Sequence, residues 1–364
     1  MSEQVGYRHS KMSVTSSTTP LIRPTKEGLF CEVGDFYIDP MRHVKRALVT
    51  HAHSDHARSG MDSYLTALSG VGVLKERIGK DASVQGLAFG EQLRVGGVNV
   101  SFHPAGHLLG SGQIRVEHKG EVWVVTGDYK NAPDPSCEQF EPVKCDTLIT
   151  EATFGLPVYK WPDPQIIFKQ INDWWRLNQI EGRTSVLFAY SLGKAQRVLC
   201  GLDPSIGPIG VHGAVDKMLP HYKAAGRPIP PTLLADDEGL KQLKGKGIIV
   251  TSGATQNTPW LRKFAPSSLA FASGWMLIRG ARRRKALDRG FVLSDHVDWQ
   301  GILDTVDASG ASTVGVTHGY APPLIRWLKE NRGLDAYEVP TRFGSEPVES
   351  LEAGADKSAE AIGR

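Results

Sequence analysis

Short runs of β-branched and aromatic residues recur along the whole chain, and nearly every one ends in a small polar cluster. Their length and composition predict strands that deliver functional groups to one edge of a sheet. Phe36-Tyr37-Ile38 ends at Asp39, Ala47-Leu48-Val49 at His51, and Val98 to Phe102 leads to His107. Val122 to Val125 ends at Asp128, and Thr147-Leu148-Ile149 at Glu151. The second half repeats the habit: Val186 to Phe188 runs into Ser191, Ile248 to Val250 into Ser252, and Leu269 to Ala272 into Ser273. Phe291 to Leu293 runs into His296, and Val314 to Val316 into His318.

Between these runs the apolar spacing changes to three and four residues. That period predicts helices over Gln165–Asn178, Lys194–Leu202, Trp299–Asp307 and Pro322–Glu330, and strands alternating with helices make the class α/β. Trp174 and Trp175 fall on the apolar stripe of the first helix and are expected in a core. Residues 1–20 are rich in Ser and Thr, have no apolar stretch, and read as a disordered leader; beyond Gly344 periodicity is lost, which predicts a flexible tail over 344–364.

Composition adds little to this picture. The 364 residues suffice for two domains, and 40% hydrophobic with 22% charged residues is ordinary for a globular protein. No run approaches the roughly 18 to 20 apolar residues that span a bilayer, so a membrane protein is excluded and a cytoplasmic one expected. Cys31, Cys137, Cys145 and Cys200 are too scattered for a zinc ribbon and are expected as structural thiols. The net charge of +3 matters less than one cluster: Arg279, Arg282, Arg283, Arg284, Lys285 and Arg289 lie within eleven positions against the single acid Asp288. Such a stripe suits a phosphate backbone.

The strongest chemical signal is His51-Ala52-His53-Ser54-Asp55-His56, three imidazoles and a carboxylate directly after a strand. Imidazole nitrogen suits zinc and similar borderline ions, and a carboxylate adds a harder ligand. Alternate residues of an extended turn point the same way, so His51 and His53 converge on one ion while Asp55 and His56 turn towards another. Taking the strand ends together gives His51, His53 and His107 for the first ion and Asp55, His56 and His318 for the second. Asp128 then bridges them, and Asp39 serves as a group that orients a ligand imidazole.

HAHSDH, the Ala105-Gly106-His107 turn, the Gly127-Asp128-Tyr129 turn and the upstream Asp39 resemble, in order, the motifs of the metallo-β-lactamase fold. Glu151 in Thr150-Glu151-Ala152, His296 in Asp295-His296-Val297 and His318 in Thr317-His318-Gly319 resemble motifs A, B and C of the β-CASP nucleases. Ala272-Ser273-Gly274-Trp275-Met276 followed by Arg279-Gly280-Ala281-Arg282-Arg283-Arg284 is similar to the bacterial ligase-associated DNA exonucleases, and the likeness covers roughly Leu21 to Phe343.

The resemblance implies an αββα sandwich, residues 21–156 and 271–343, with a β-CASP α/β cap inserted over 157–270. It implies hydrolysis of DNA phosphodiesters by an exonuclease of DNA repair, with two divalent ions, zinc or manganese, held by the ligands above. His296, oriented by Glu151, is the implied phosphate ligand and general acid, with Asp55 and Asp128 beside it. Ser191, Lys194, Ser252 and Ser273 lie at turns where backbone amides or a charge meet phosphate, and Arg279, Arg282, Arg283 and Arg284 extend that contact. A DNA ligase and a helicase are the implied functional associates. An RNA-processing nuclease of the same architecture stays open, because His at position 318 is typical of the family's RNA-acting members. A small-molecule metallohydrolase would need neither the large insert nor the arginines.

Contacts of the arginine stripe with a nucleic-acid backbone are independent of base sequence. Each phosphate neutralised contributes about 0.7 to the salt slope on single strands. Replacing Arg282, Arg283 and Arg284 by Ala should therefore weaken binding for all sequences alike and flatten the slope by up to about 2 units. Salt titrations of binding in a catalytically inactive background measure this; identical slopes would show that the arginines only solvate a surface or pair with carboxylates elsewhere in the fold.

Overall fold

The computed structural model describes residues 19–278 and 287–340. The expected leader up to residue 18, the tail, and Arg279, Arg282, Arg283 and Arg284 lie outside the described residues.

Six strands, β1 (Arg23–Pro24), β2 (Leu29–Cys31), β3 (Phe36–Ile38), β4 (Arg46–Leu48), β5 (Ser63–Ala67) and β6 (Val84–Leu87), form a first sheet in sequential order. A second sheet begins with β7 (Gln92–Val95), β8 (Val98–Pro104), β9 (Gly112–His118), β10 (Glu121–Val125) and β11 (Thr147–Glu151). The chain then leaves and builds a third, wholly parallel sheet. Its strands are β12 (Thr184–Phe188), β13 (Ile209–Val211), β14 (Leu233–Leu234), β15 (Ile248–Thr251), β16 (Ser267–Ala272) and β17 (Arg289–Phe291), in the order β14-β13-β15-β12-β16-β17. On its return β18 (Thr313–Thr317) pairs in parallel with β11, and β19 (Asp335–Glu338) closes the second sheet as β19-β18-β11-β10-β9-β8-β7.

The first two sheets face each other across an apolar core that includes Ile38, Leu48, Leu65, Phe102, Ile114, Val125 and Ile149. The helix Val71–Ile78 buries Val73 and Leu74 in a cluster with Ala47 and Tyr64 of the first sheet. The helices Trp299–Ser309 and Ala321–Arg332 bury Ile302, Val306, Leu324 and Leu328 with Val314 and Val316 of the second. The result is a four-layer αββα sandwich, the metallo-β-lactamase architecture. The third sheet has its own core, in which Ile171, Trp174 and Trp175 of the helix Pro164–Ile180 meet Leu187, Ile248 and Ala270. That helix starts where Asp163 accepts a hydrogen bond from the Gln165 N–H and Pro164 supplies a preset φ. Its two Trp side chains are core, as their spacing predicts.

Strand direction, more than layering, places the candidate ligands. Strands β10, β11 and β18 run in parallel, and two antiparallel steps bring β8 into the same direction. Their carboxyl ends, together with those of the parallel pair β3 and β4, therefore open on one rim.

The third-sheet unit is docked on the sandwich by ionic contacts that exclude water. Arg197, in the helix Lys194–Cys200, sets its Nε 3.0 Å from Asp134 Oδ2 with both side chains almost fully buried, and a second guanidinium nitrogen donates to the Ser294 carbonyl. Removing one member of a buried pair leaves an uncompensated charge, which costs about 3–5 kcal/mol. Asp134→Ala should lower unfolding stability by that amount in denaturant titrations; a loss under about 1 kcal/mol, the scale of a solvent-exposed pair, would contradict it.

Candidate metal centre

The loops on that rim bring together side chains from both ends of the chain. One ligand atom from each of His51, His53, His107 and Asp128 lies within 4.8 Å of the others, and so does one from each of His56, Asp128 and His318. Asp128 belongs to both sets through different oxygens. Its Oδ2 is 3.5 Å from His51 Nε2 and 3.9 Å from His107 Nε2, whereas Oδ1 is 3.5 Å from His56 Nε2. Asp55 stands beside the second set, with Oδ2 3.8 Å from His56 Nε2.

Every imidazole of the two sets is held from behind. Asp39 accepts hydrogen bonds from the Thr50 N–H and hydroxyl at 2.8 and 2.6 Å and from His56 Nδ1 at 2.8 Å. The Thr50 hydroxyl, its proton committed to Asp39, accepts from His51 Nδ1 at 3.1 Å. His53 donates from Nε2 to the Leu192 carbonyl at 3.1 Å, and His107 from Nδ1 to the Asp295 carbonyl at 2.9 Å. The Thr317 hydroxyl lies 3.3 Å from His318 Nδ1. The inward nitrogens of His51, His53 and His107 are thus unprotonated, and two of them, His107 Nε2 and His53 Nδ1, face each other at 3.1 Å. His51 Nε2 is buried with no hydrogen-bond donor.

Opposed lone pairs around a carboxylate repel one another unless a cation lies among them. Borderline nitrogen donors with a shared oxygen donor match a divalent ion such as zinc, so the residues fit the group the motifs imply. The protonation landscape agrees. Burial, followed by the charge of neighbouring imidazoles, pushes His51 well down and His53 down to about 4, and burial also lowers His107 and His318. Neutral imidazole is the ligating form. Burial would raise the Asp128 carboxyl, but His56 and His296 hold it well below the usual carboxylate range. His56 alone of the cluster is raised, against its burial, by Asp128, Asp55 and Asp39.

A second device sits beside the cluster. Glu151 is fully buried; it accepts from the Tyr129 N–H at 2.8 Å and from His296 Nδ1 at 2.9 Å, leaving His296 Nε2 free. Burial works against protonating His296, yet Glu151 and Asp128 hold it up at about 9. The Trp161 indole donates to the His296 carbonyl at 2.9 Å and fixes the turn. Asp39 and His318 both occupy left-handed backbone, φ 46° and 55°, a strained conformation that concentrates at functional sites.

The side chains at the turns expected to meet phosphate are buried or have partners inside the protein. Lys194 is buried and its ammonium lies 3.0 Å from Asp295 Oδ1, so its charge is committed inside the protein. The helix it opens has seven residues, and Gly193, not Ser191, is its first cap. Ser191 and Ser252 are buried, and the Ser273 hydroxyl accepts from the Trp275 N–H. Thr50, Leu192 and Asp295 take up orienting roles that the motifs do not signal. Thr50 could be read from its place against HAHSDH, but main-chain carbonyls have no sequence signature.

No protein-family model matches the chain. Over 316 residues it is 32% identical to a protein named "Probable DNA ligase" from Opitutus terrae, an alignment spanning 86% of this chain and 30% of that protein. It is 30% identical over 151 residues to a ribonuclease of Thermus thermophilus, covering 33% of this chain and 34% of the relative. It is also 30% identical over 166 residues to cleavage and polyadenylation specificity factor 73 of Drosophila melanogaster, covering 43% and 24%. The chain thus spans about a third or less of these relatives. Among solved structures, a protein of unknown function from Enterococcus faecalis V583 superposes with a TM-score of 0.56 at 13% identity, over 82% of this chain and 80% of that one, a likeness of fold alone.

The shared carboxylate generates a test. If each set holds an ion, Asp128→Ala, which touches both sets, should lower the total metal content more than His318→Ala, which touches one. Elemental analysis of the purified variants against the parent reads this directly, and full occupancy in both variants would refute the assignment.

Proposed function

We propose, on the premise that this chain is a relative of the metallo-β-lactamase-fold β-CASP nucleases, that it is a two-metal nuclease that hydrolyses DNA phosphodiester bonds as an exonuclease. The observation that carries this reading is Asp128, whose two oxygens face two separate imidazole sets next to the His296–Glu151 pair. His51, His53, His107 and Asp128 hold one ion, and Asp55, His56, Asp128 and His318 the other, with zinc favoured by the nitrogen-rich donor set and manganese as the alternative. The third-sheet unit is taken as the cap, including β16 and β17, which run past residue 270.

When bound, a pair of divalent ions activates water near neutral pH and neutralises charge on the phosphate oxygens. The residues do the rest. Asp55 accepts the proton of the attacking water at its carboxylate. His296 faces the departing oxygen with Nε2 and donates its proton there, while Glu151 keeps the ring in register through Nδ1 and stabilises the protonated form. The cap roofs the cleft and limits water.

DNA is favoured because the relative that aligns with 86% of this chain bears a DNA ligase's name, which also suggests ligation as the companion activity. RNA cleavage is the second reading. It is favoured by His318 and by relatives named as ribonucleases. End-labelled single- and double-stranded DNA and matching RNA, incubated with zinc, manganese or chelator and resolved by length, decide between them: stepwise shortening of DNA, abolished by chelator, is expected, and cleavage confined to RNA would overturn the DNA assignment.

His296→Ala should keep its metal and its affinity for nucleic acid yet lose about a hundredfold to ten-thousandfold in turnover. Cleavage at the parent rate would make His296 structural.

A further inference from the structure

The imidazoles around Asp128 are held from two different parts of the molecule. His51, His56 and His318 lean on Thr50, Asp39 and Thr317, all of the sandwich. His53 and His107 lean on the carbonyls of Leu192, in the third-sheet unit, and Asp295, in the segment after β17. These last two supports are joined to each other. Lys194, two residues after Leu192, places Nζ 3.0 Å from Asp295 Oδ1, and their side chains are 3% and 2% exposed.

The connection between ion pair and carbonyl is stiff. Gly193 donates its N–H to Gln196 Oε1 at 2.7 Å, and Gln196 Nε2 donates back to the Ser191 carbonyl at 3.0 Å. Gly193 has φ +85°, and a Cβ there would lie 3.2 Å from Leu108 Cβ and 3.7 Å from His53 Nε2. Only glycine lets this turn close on the imidazole without strain. The Lys194 ammonium also lies 4.4 Å over the Tyr190 ring, which fixes it from the other side. A buried ion pair is a weak source of stability, because desolvation offsets the attraction. Its place here, between the two carbonyls that aim two ligand imidazoles, gives it a geometric task instead.

We propose that the Lys194–Asp295 ion pair is a positioning clamp that aims His53 and His107, so that it sets the affinity of the ion position these two share with His51 and leaves the other position untouched. This rests on the two-ion reading above. It makes the third-sheet unit part of one metal site without contributing a ligand to it, and Lys194 a positioning residue whose charge never meets substrate.

The test is a competition titration with a chromophoric zinc chelator on the whole protein, monitored for fold by circular dichroism. The parent should release two ions in two steps. Lys194→Met should move one step towards weaker binding by about 10- to 100-fold, the usual effect of losing an outer-shell partner, and leave the other in place. Thr317→Val, acting on His318 alone, should move the other step. Gly193→Ala keeps the ion pair but displaces the Leu192 carbonyl, and should move the same step as Lys194→Met; it carries the test alone if the lysine variant does not fold. Two steps that shift together, or none that shift, overturn the clamp while the two-ion reading stands. A parent that binds no ion overturns both.

Discussion

Seven electron-rich side chains gathered on one rim, five imidazoles and two carboxylates, repel one another, and the rest of the molecule is organised to hold them there. Each imidazole has its outward nitrogen tied to a group that cannot move far: a threonine hydroxyl, the half-buried Asp39 carboxylate, or a main-chain carbonyl. The ties to main-chain carbonyls and to the committed Thr50 hydroxyl also remove the choice of tautomer, so that the inward atoms of His51, His53 and His107 are acceptors. The cost of assembling such a set without donors is recovered only when a cation arrives, which makes ion binding and local order one event.

Strand direction is the means of assembly. Four strands of the second sheet and two of the first end on the same rim, so each can contribute its next residue to a common point without any long loop. Short loops keep that point rigid. The insertion between β11 and β18 leaves this intact because the two strands pair directly, and it adds the carbonyl of Leu192 and the turn that carries His296.

Much of this is legible in the chain. His51, His53, His56, His107, Asp128 and His318 follow strands whose apolar runs are unmistakable, and ligand chemistry is a property of side-chain type, so identity and placement suffice. The helices are equally clear, with ends that shift by two residues or fewer: the expected Gln165–Asn178 is Pro164–Ile180, and the expected Lys194–Leu202 is Lys194–Cys200. Lys194 reads as an open charge because its partner, Asp295, is a hundred residues away, and no local pattern reveals which distant carboxylate will neutralise a lysine. At the Ser273 turn the hydroxyl takes the Trp275 N–H, a contact that no local pattern announces. The two-residue strand β1 and the three-residue strand β2 fall below the length at which alternation can be seen at all.

The pairing of β11 with β18 joins Thr147–Glu151 to Thr313–Thr317 across the entire third sheet. Contacts so distant along the chain form late, because the loop between them must be closed before they gain anything. A nascent chain emerging from its N-terminus therefore displays HAHSDH, His107, Asp128 and Glu151 long before His296 and His318 exist. The intervening unit, with its own core, can fold in that interval, before β18 exists to pair with β11. Completion of the cluster is thereby deferred to the last stage of synthesis, and a truncated product, however well its first half folds, lacks both His318 and His296.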